Sequence, residues 1–346
     1  YDPQPPRSGQ IRKPRPGHGL PAAPQSNYKT DMENPVIVIL GCTASGKGTL
    51  ARCLARHLEA EIVSVDSMKV YRGMDIGTAK PSPAELAAVP HHLIDIADPW
   101  EPFSAARFVE LADLAVAEIH RRGRPVIAVG GTLLYFKCWY QGLFAGPGAD
   151  PAFRSHIRRR ARTEGPESLH AELARVDPQA AARIHRHDLR RIERALEVYY
   201  LTGQPISSLQ RQWERPELRR PDWRWVLVGL RRSREDLNRR INRRVRQMVT
   251  NGLVDEVRRL AQEPCGMSPQ ARQAVGYAEL LDHFAGLCSL EEAIERIKIH
   301  SRRLAKQQRT WLKRLTGVHW LEADSVEDTS ELLPQVLDRL PLPRKN

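Results

Sequence analysis

Two short stretches carry residues whose types and spacing suit phosphate chemistry. The first is Gly41-Cys42-Thr43-Ala44-Ser45-Gly46-Lys47, two glycines bracketing four residues with a lysine directly behind. Between a buried strand and a helix, such a loop turns backbone N–H groups, the positive end of the helix dipole and an ammonium toward a phosphate. Gly41, Thr43, Ala44, Ser45, Gly46, Lys47, Gly48 and Thr49 are therefore candidate diphosphate-binding residues. Gly48 stands where a serine or threonine hydroxyl ordinarily reaches magnesium, and Thr49 follows it. The second stretch, Val65-Asp66-Ser67, puts a carboxylate just past an apolar run. Asp66 suits a general base, with a helix cap or a magnesium ligand as the alternatives. The next apolar run ends in Val129-Gly130-Gly131-Thr132 without an acid, which disfavours an ATP-hydrolysing site with its metal acid there.

The elements that must position these residues follow from the apolar pattern. Val36-Ile-Val-Ile-Leu40, Glu61-Ile-Val-Ser-Val65 and Pro125-Val-Ile-Ala-Val129 are short apolar runs of the kind that form strands buried on both faces. Helical patterns over 48–58 and 104–121 separate them. This alternation predicts an α/β fold, a P-loop-like parallel sheet whose ligands sit at the carboxyl edge. A fourth strand is expected at Trp225-Val-Leu-Val-Gly229. Between them lies an arginine-rich helical stretch with turns at Gly146-Pro-Gly148 and Thr202-Gly-Gln-Pro205, read as an inserted helical subdomain. The expected division is a disordered tail over 1–33, a discontinuous core over 34–146 and 206–325, the insertion over 147–205, and a C-terminal tail over 326–346.

Composition narrows the partners. The net charge of +13, from 54 Lys and Arg against 41 Asp and Glu, exceeds what solubility needs and implies a polyanion, most commonly nucleic acid. No apolar run is long enough to span a membrane and no apolar block of signal type opens the chain, so a cytoplasmic protein is expected. The five cysteines are odd in number and form no Cys-x-x-Cys pair, so neither a disulfide framework nor a zinc module is signalled. Residues 1–33 are rich in Pro, Gly, Gln and Arg, a composition too polar to fold alone. Because Tyr1 is no start residue and Met32 sits just before the first strand, a natural start at Met32 is expected.

Longer strings resemble the tRNA dimethylallyltransferases, or tRNA isopentenylpyrophosphate transferases. The resemblance runs from about Val36 to Trp320, and its most specific part is Asp66-Ser-Met-Lys-Val-Tyr-Arg-Gly-Met-Asp-Ile-Gly-Thr-Ala-Lys80. His91-His-Leu-Ile-Asp-Ile96, Gly130-Gly-Thr132, Arg191-Ile-Glu-Arg-Ala-Leu-Glu197, Gln273-Ala-Val-Gly-Tyr277 and Arg302-Arg-Leu-Ala-Lys-Gln-Gln-Arg-Thr-Trp311 agree too. The resemblance implies transfer of a dimethylallyl group from dimethylallyl diphosphate to the exocyclic amine of the adenine 3′ to the anticodon, with magnesium assisting. It assigns the base to Asp66 and makes Thr132 and Thr43 suited to the departing diphosphate, while Ser67, Met68 and Lys69 would lie near the target base. Lys69 stands where the family is expected to carry glutamine. Thr49 is the candidate magnesium ligand.

Arg240 and Arg244, one turn apart on a helical pattern, are expected to close the diphosphate pocket. Arg154, Arg190, Arg191 and Arg194 of the insertion are candidates to clamp the anticodon stem-loop through its phosphates. A monomer is expected. Two rivals share parts of the pattern: a nucleoside or nucleotide kinase using Lys47 on ATP, and a non-catalytic RNA-binding P-loop protein. Both leave the string from Asp66 to Lys80 unexplained.

Overall fold

The structure, a computed structural model, describes residues 35–144, 146–214 and 220–340. The tail expected over 1–33, with Met32, lies outside the described residues, as do 341–346 of the C-terminal segment.

The apolar run after Pro35 forms β1 (Val36–Leu40), followed by α1 (Lys47–Leu58), β2 (Glu61–Ser64), α2 (Pro83–Ala88), β3 (His91–His92), α3 (Ala105–Arg121), β4 (Val126–Val129) and α4 (Leu133–Gln141). A helical unit comes next: α5 (Pro151–Glu164), α6 (Pro166–Val176), α7 (Pro178–Arg183), α8 (Leu189–Thr202) and α9 (Ile206–Leu209). The chain returns to the sheet through β5 (Trp225–Arg231), continues with α10 (Arg234–Thr250), α11 (Leu253–Ala261), α12 (Pro269–Arg272), α13 (Tyr277–Phe284) and α14 (Leu290–Leu312), and closes with β6 (Val318–Glu322) and α15 (Leu333–Leu337).

All strand pairings are parallel, in the order β3-β2-β4-β1-β5-β6. Period-two alternation sorts β1 between two apolar layers. Val36, Val38 and Leu40 pack with α3, α4, α10 and α14, while Ile37 and Ile39 pack with Leu50 and Leu54 of α1. The helical unit carries its own apolar centre, with Ile157, Leu169, Leu173, Ile192 and Leu196 all buried. Burying a separate core lets this unit hold its shape beside the sheet.

The sequence pattern predicts four of the six strands. β3 pairs through only two residues, and β6 is an edge strand whose Val-His-Trp-Leu-Glu mixes polar and apolar residues. Residues 326–340 depart from the expected tail. Leu332, Val336 and Leu340 recur at helical spacing and bury against the α1 side of the sheet, so the segment gains more from burial than from solvation.

Candidate active site

The turns after β1, β2 and β4 meet at the carboxyl edge of the sheet. Gly46 caps α1 in the left-handed region, with φ of 94°, and no side chain satisfies the first N–H groups of the helix. No acid occupies its first turn, so the helix end remains an uncompensated positive site. Ala44 also takes a positive φ of 61°, a conformation that bends successive amides into a concavity. At the β4 turn, a Cβ on Gly130 would meet Val65 O at 1.9 Å, so only glycine lets these two turns touch.

Asp66 and Thr132 are joined across that contact. Asp66 Oδ1 accepts from the backbone N–H of Met68 at 2.9 Å and of Lys69 at 3.3 Å, which fixes the carboxylate plane and leaves Oδ2 outside this turn. Thr132 Oγ1 accepts from Ser67 N–H at 2.8 Å and donates to Ser67 Oγ at 3.1 Å, so this hydroxyl secures the Asp66 turn. Lys47 Nζ donates to Cys42 O at 3.1 Å, bridging the phosphate loop. A Cβ built on Gly131 would lie 3.9 Å from Lys47 Nζ and 4.0 Å from Asp66 Oδ2, so acid and ammonium converge on one spot.

Cations crowd this spot. Burial, then the charges of Arg244 and Lys69, push Lys47 down to about 8 against the partial relief of Asp66. Lys69 is likewise pushed down to about 8, by burial first and then by Arg244, Arg52 and Lys80, again relieved in part by Asp66. Arg244 reaches toward Thr43 Oγ1 at 3.4 Å, and burial lowers its pKa as well. Arg240 acts differently. Its Nε donates to Ala44 O at 2.9 Å while its other end pairs with Glu327 at 3.2 Å, so it braces the loop from outside.

Three positioning residues escaped the sequence reading. Gln308 of α14, buried, accepts from Thr43 N–H at 2.7 Å and donates to Gly131 O at 2.8 Å, tying the β1 and β4 turns together. Arg232, also buried, donates to Ser45 O at 2.8 Å and pairs with Asp236 at 2.5 Å. Glu256 of α11 accepts from the backbone N–H groups of Asp75, Ile76 and Gly77 and from Tyr277 Oη at 2.5 Å. Its carboxylate thereby holds the long string after Asp66. Nothing in local spacing links these residues to the loops, although the blocks Gln273–Tyr277 and Arg302–Trp311 enclose Tyr277 and Gln308.

A cleft of about 2440 Å³ opens from the loops toward the helical unit, lined by Thr43–Thr49, Asp66–Lys69, Thr132, Arg190 and Arg244 among others. Small-molecule pockets span about 300–1,000 Å³, so this opening suits a macromolecular substrate together with a small one.

Comparison with known proteins agrees with this geometry. The IPP transferase family model matches residues 69–315. A tRNA dimethylallyltransferase of Alkalilimnicola ehrlichii is 50% identical over 296 residues, 85% of this chain and 92% of the relative. One from Geobacter metallireducens is 47% identical over 294 residues, covering 85% and 94%. The chain belongs to the tRNA dimethylallyltransferase family. Among solved structures, the tRNA isopentenylpyrophosphate transferase of Bacillus halodurans superposes with a TM-score of 0.64 at 40% identity, covering 89% of this chain and 96% of that one. A eukaryotic dimethylallyltransferase acting on tRNA gives 0.71 at 27% identity, covering 90% and 81%. The fold is thus that of the tRNA isopentenyltransferases, a P-loop NTPase-like α/β fold.

In this dimethylallyltransferase family member the insertion's arginines differ in availability. Arg154 pairs with Glu197 at 2.8 Å, and Arg194 pairs with the same buried carboxylate at 2.6 Å while donating to Pro147 O. Both raise the order of the helical unit. Arg190 and Arg191 are exposed, and among the described residues the Arg191 guanidinium pairs with half-buried Asp188 at 3.3 Å. No helix among the described residues is long and apolar enough to cross a membrane.

Oxygen donors that line the cleft at the loop include Asp66, the exposed Thr49 and the hydroxyls of Thr43 and Ser45, and no group of three His, Cys, Asp or Glu among the described residues could hold a metal. This sparse set fits magnesium, which keeps waters and draws ligands from substrate phosphates rather than from an all-protein cage.

Proposed function

We propose that this enzyme transfers a dimethylallyl group from dimethylallyl diphosphate to the exocyclic amine of the adenine 3′ to the anticodon in tRNA, yielding isopentenyladenosine and diphosphate. The observation that carries the reading is the convergence of Lys47 Nζ and Asp66 Oδ2 on Gly131, in a cleft of about 2440 Å³ that also takes in arginines of the helical unit. The adenine amine is a poor nucleophile because its lone pair is delocalised into the ring. Asp66, held by its own turn, takes the amine proton through Oδ2 as nitrogen bonds to the allylic carbon. The carbon–oxygen bond to the diphosphate breaks, and the charge that develops is met by Lys47, Arg244 and the open amides of α1. Thr49 would hold magnesium, which would supply further positive charge against the diphosphate. The base must leave its stack to reach the floor of the cleft. Arg190 and Arg191 would hold the stem-loop phosphates without reading sequence, while Arg154 and Arg194, paired with Glu197, keep the helices that carry them in place.

A kinase would use the same loop, but the match to dimethylallyltransferases and the string from Asp66 to Lys80 favour prenyl transfer. The proposal extends to a cytoplasmic monomer; sedimentation at working concentrations checks the oligomeric state and cell fractionation the location. Labelled dimethylallyl diphosphate, magnesium and unmodified tRNA supply the decisive assay: label should enter the RNA. Unlabelled RNA together with phosphate transfer from ATP would replace this reading with the kinase.

A further inference from the structure

Gly48 leaves a gap that another side chain occupies. A Cβ built on Gly48 would sit 3.3 Å from Nη1 of Arg52, one turn along α1, where i and i+4 residues share a face. The other end of that guanidinium is anchored by Glu85 of α2 at 2.5 Å, so its position is set. Lys69, half-buried across the cleft, has no hydrogen-bonding or ion-pair partner for its ammonium among the described residues. Arg52 is close enough to lower the pKa of Lys69, and both cations, after burial, lower that of His91 between them. Arg52, Lys69, Gly48 and Thr49 all line the same cleft as Lys47. Lys47, Lys69 and Arg244 share one nearby acid, Asp66, and Arg52 keeps Glu85, so cations outnumber carboxylates here and create a field that an anion relieves.

We infer that Arg52 and Lys69 are further diphosphate-binding residues, supplying as side-chain cations part of the charge that a hydroxyl-held magnesium supplies in loops with serine or threonine at position 48. This rests on the proposed prenyl-transfer reading, and it is specific to a chain with glycine at 48, arginine at 52 and lysine at 69. The ligand is the diphosphate of the donor, and the guanidinium and ammonium donate charge-assisted hydrogen bonds to its oxygens.

Inorganic pyrophosphate is the probe, titrated calorimetrically into the full chain with EDTA and again with saturating magnesium. In EDTA, Arg52→Gln and Lys69→Gln should each weaken binding about tenfold, the usual worth of a hydrogen bond to a charged group. With magnesium the losses should shrink to about threefold or less, since the metal then carries the same charge. Glu85→Gln breaks the ion pair but keeps the guanidinium, so it should retain the affinity. Unchanged affinity in folded Arg52→Gln and Lys69→Gln would overturn the inference, as would losses of equal size with and without magnesium. A loss in Glu85→Gln equal to that in Arg52→Gln would also overturn it, by showing that only helix packing was disturbed. Lys47→Met separates this from the wider reading. If Lys47→Met alone weakens binding, only the Arg52 and Lys69 assignment fails; if wild-type protein binds no pyrophosphate, both fail.

Discussion

The loop cluster and the helical unit are both rich in cations, yet they use them oppositely. In the helical unit, Arg154, Arg158 and Arg194 are paired with Glu193 and Glu197, carboxylates buried almost completely, so the charges are largely cancelled within the fold. At the loops, Lys47, Lys69 and Arg244 share a single nearby acid, Asp66, and burial holds their pKa values down. One region commits its arginines to internal order, while the other is left electrostatically incomplete until an anion arrives. A basic composition therefore does not say where a polyanion binds; the pairing of each cation does.

That contrast can be broken most severely at Asp66. Asp66→Ala should lower turnover by at least about a hundredfold while tRNA affinity stays within about threefold, because a general base acts in the chemical step. Near-normal turnover would move the base elsewhere. In the helical unit, Glu197→Ala leaves Arg194 without its carboxylate and Arg154 with only Glu193 at 3.7 Å. It should destabilise the protein by about 2 kcal/mol, less than a fully buried pair because both arginines keep some contact with water. A thermal melt reads this directly, and an unchanged melting temperature would contradict the pairing.

The depressed lysines give a pH test whose two halves run in opposite directions. Lys47 and Lys69 sit near 8 in the folded protein, against about 10.4 for an ordinary lysine. Below pH 8 both are charged, and pyrophosphate affinity should be flat. Above it the free protein loses these protons while the complex retains them, so affinity should fall by up to about tenfold per pH unit for each lysine. Stability moves the other way: a folded pKa below the unfolded one disfavours the protonated form, so these groups destabilise less as pH climbs from 8 toward 10.4. Lys47→Arg should flatten part of the affinity profile, and an unaltered profile would assign the titration to other groups.

The smallest effect belongs to the exposed arginines. Arg191→Ala should change stability by less than about 0.5 kcal/mol, yet reduce the salt slope of tRNA binding by about one counterion. Arg154→Ala should do the reverse, with a visible loss of stability and little change in slope.

Much of this molecule was legible in its residues. The buried runs at 36–40, 61–65, 125–129 and 225–229 appear as strands because continuous apolar stretches of that length bury well only between two layers. The glycines of the phosphate loop and the string after Asp66 marked the site. Their meaning needs no tertiary contact, since loop conformation and residue chemistry are local. The positioning roles of Gln308, Arg232 and Glu256 were invisible by comparison, each acting on backbone groups far away in the chain. A glutamine in a polar helical stretch looks like any solvated residue until the fold brings two turns to its amide. The same holds for Arg52 over Gly48, and for the arginines that Glu193 and Glu197 neutralise. Sequence by itself determined the fold class and singled out the loop after β1 and Asp66 as candidates, because periodicity and short motifs carry those. Only the tertiary structure decided which cations are free, because a charge is neutralised or available according to what the fold packs against it.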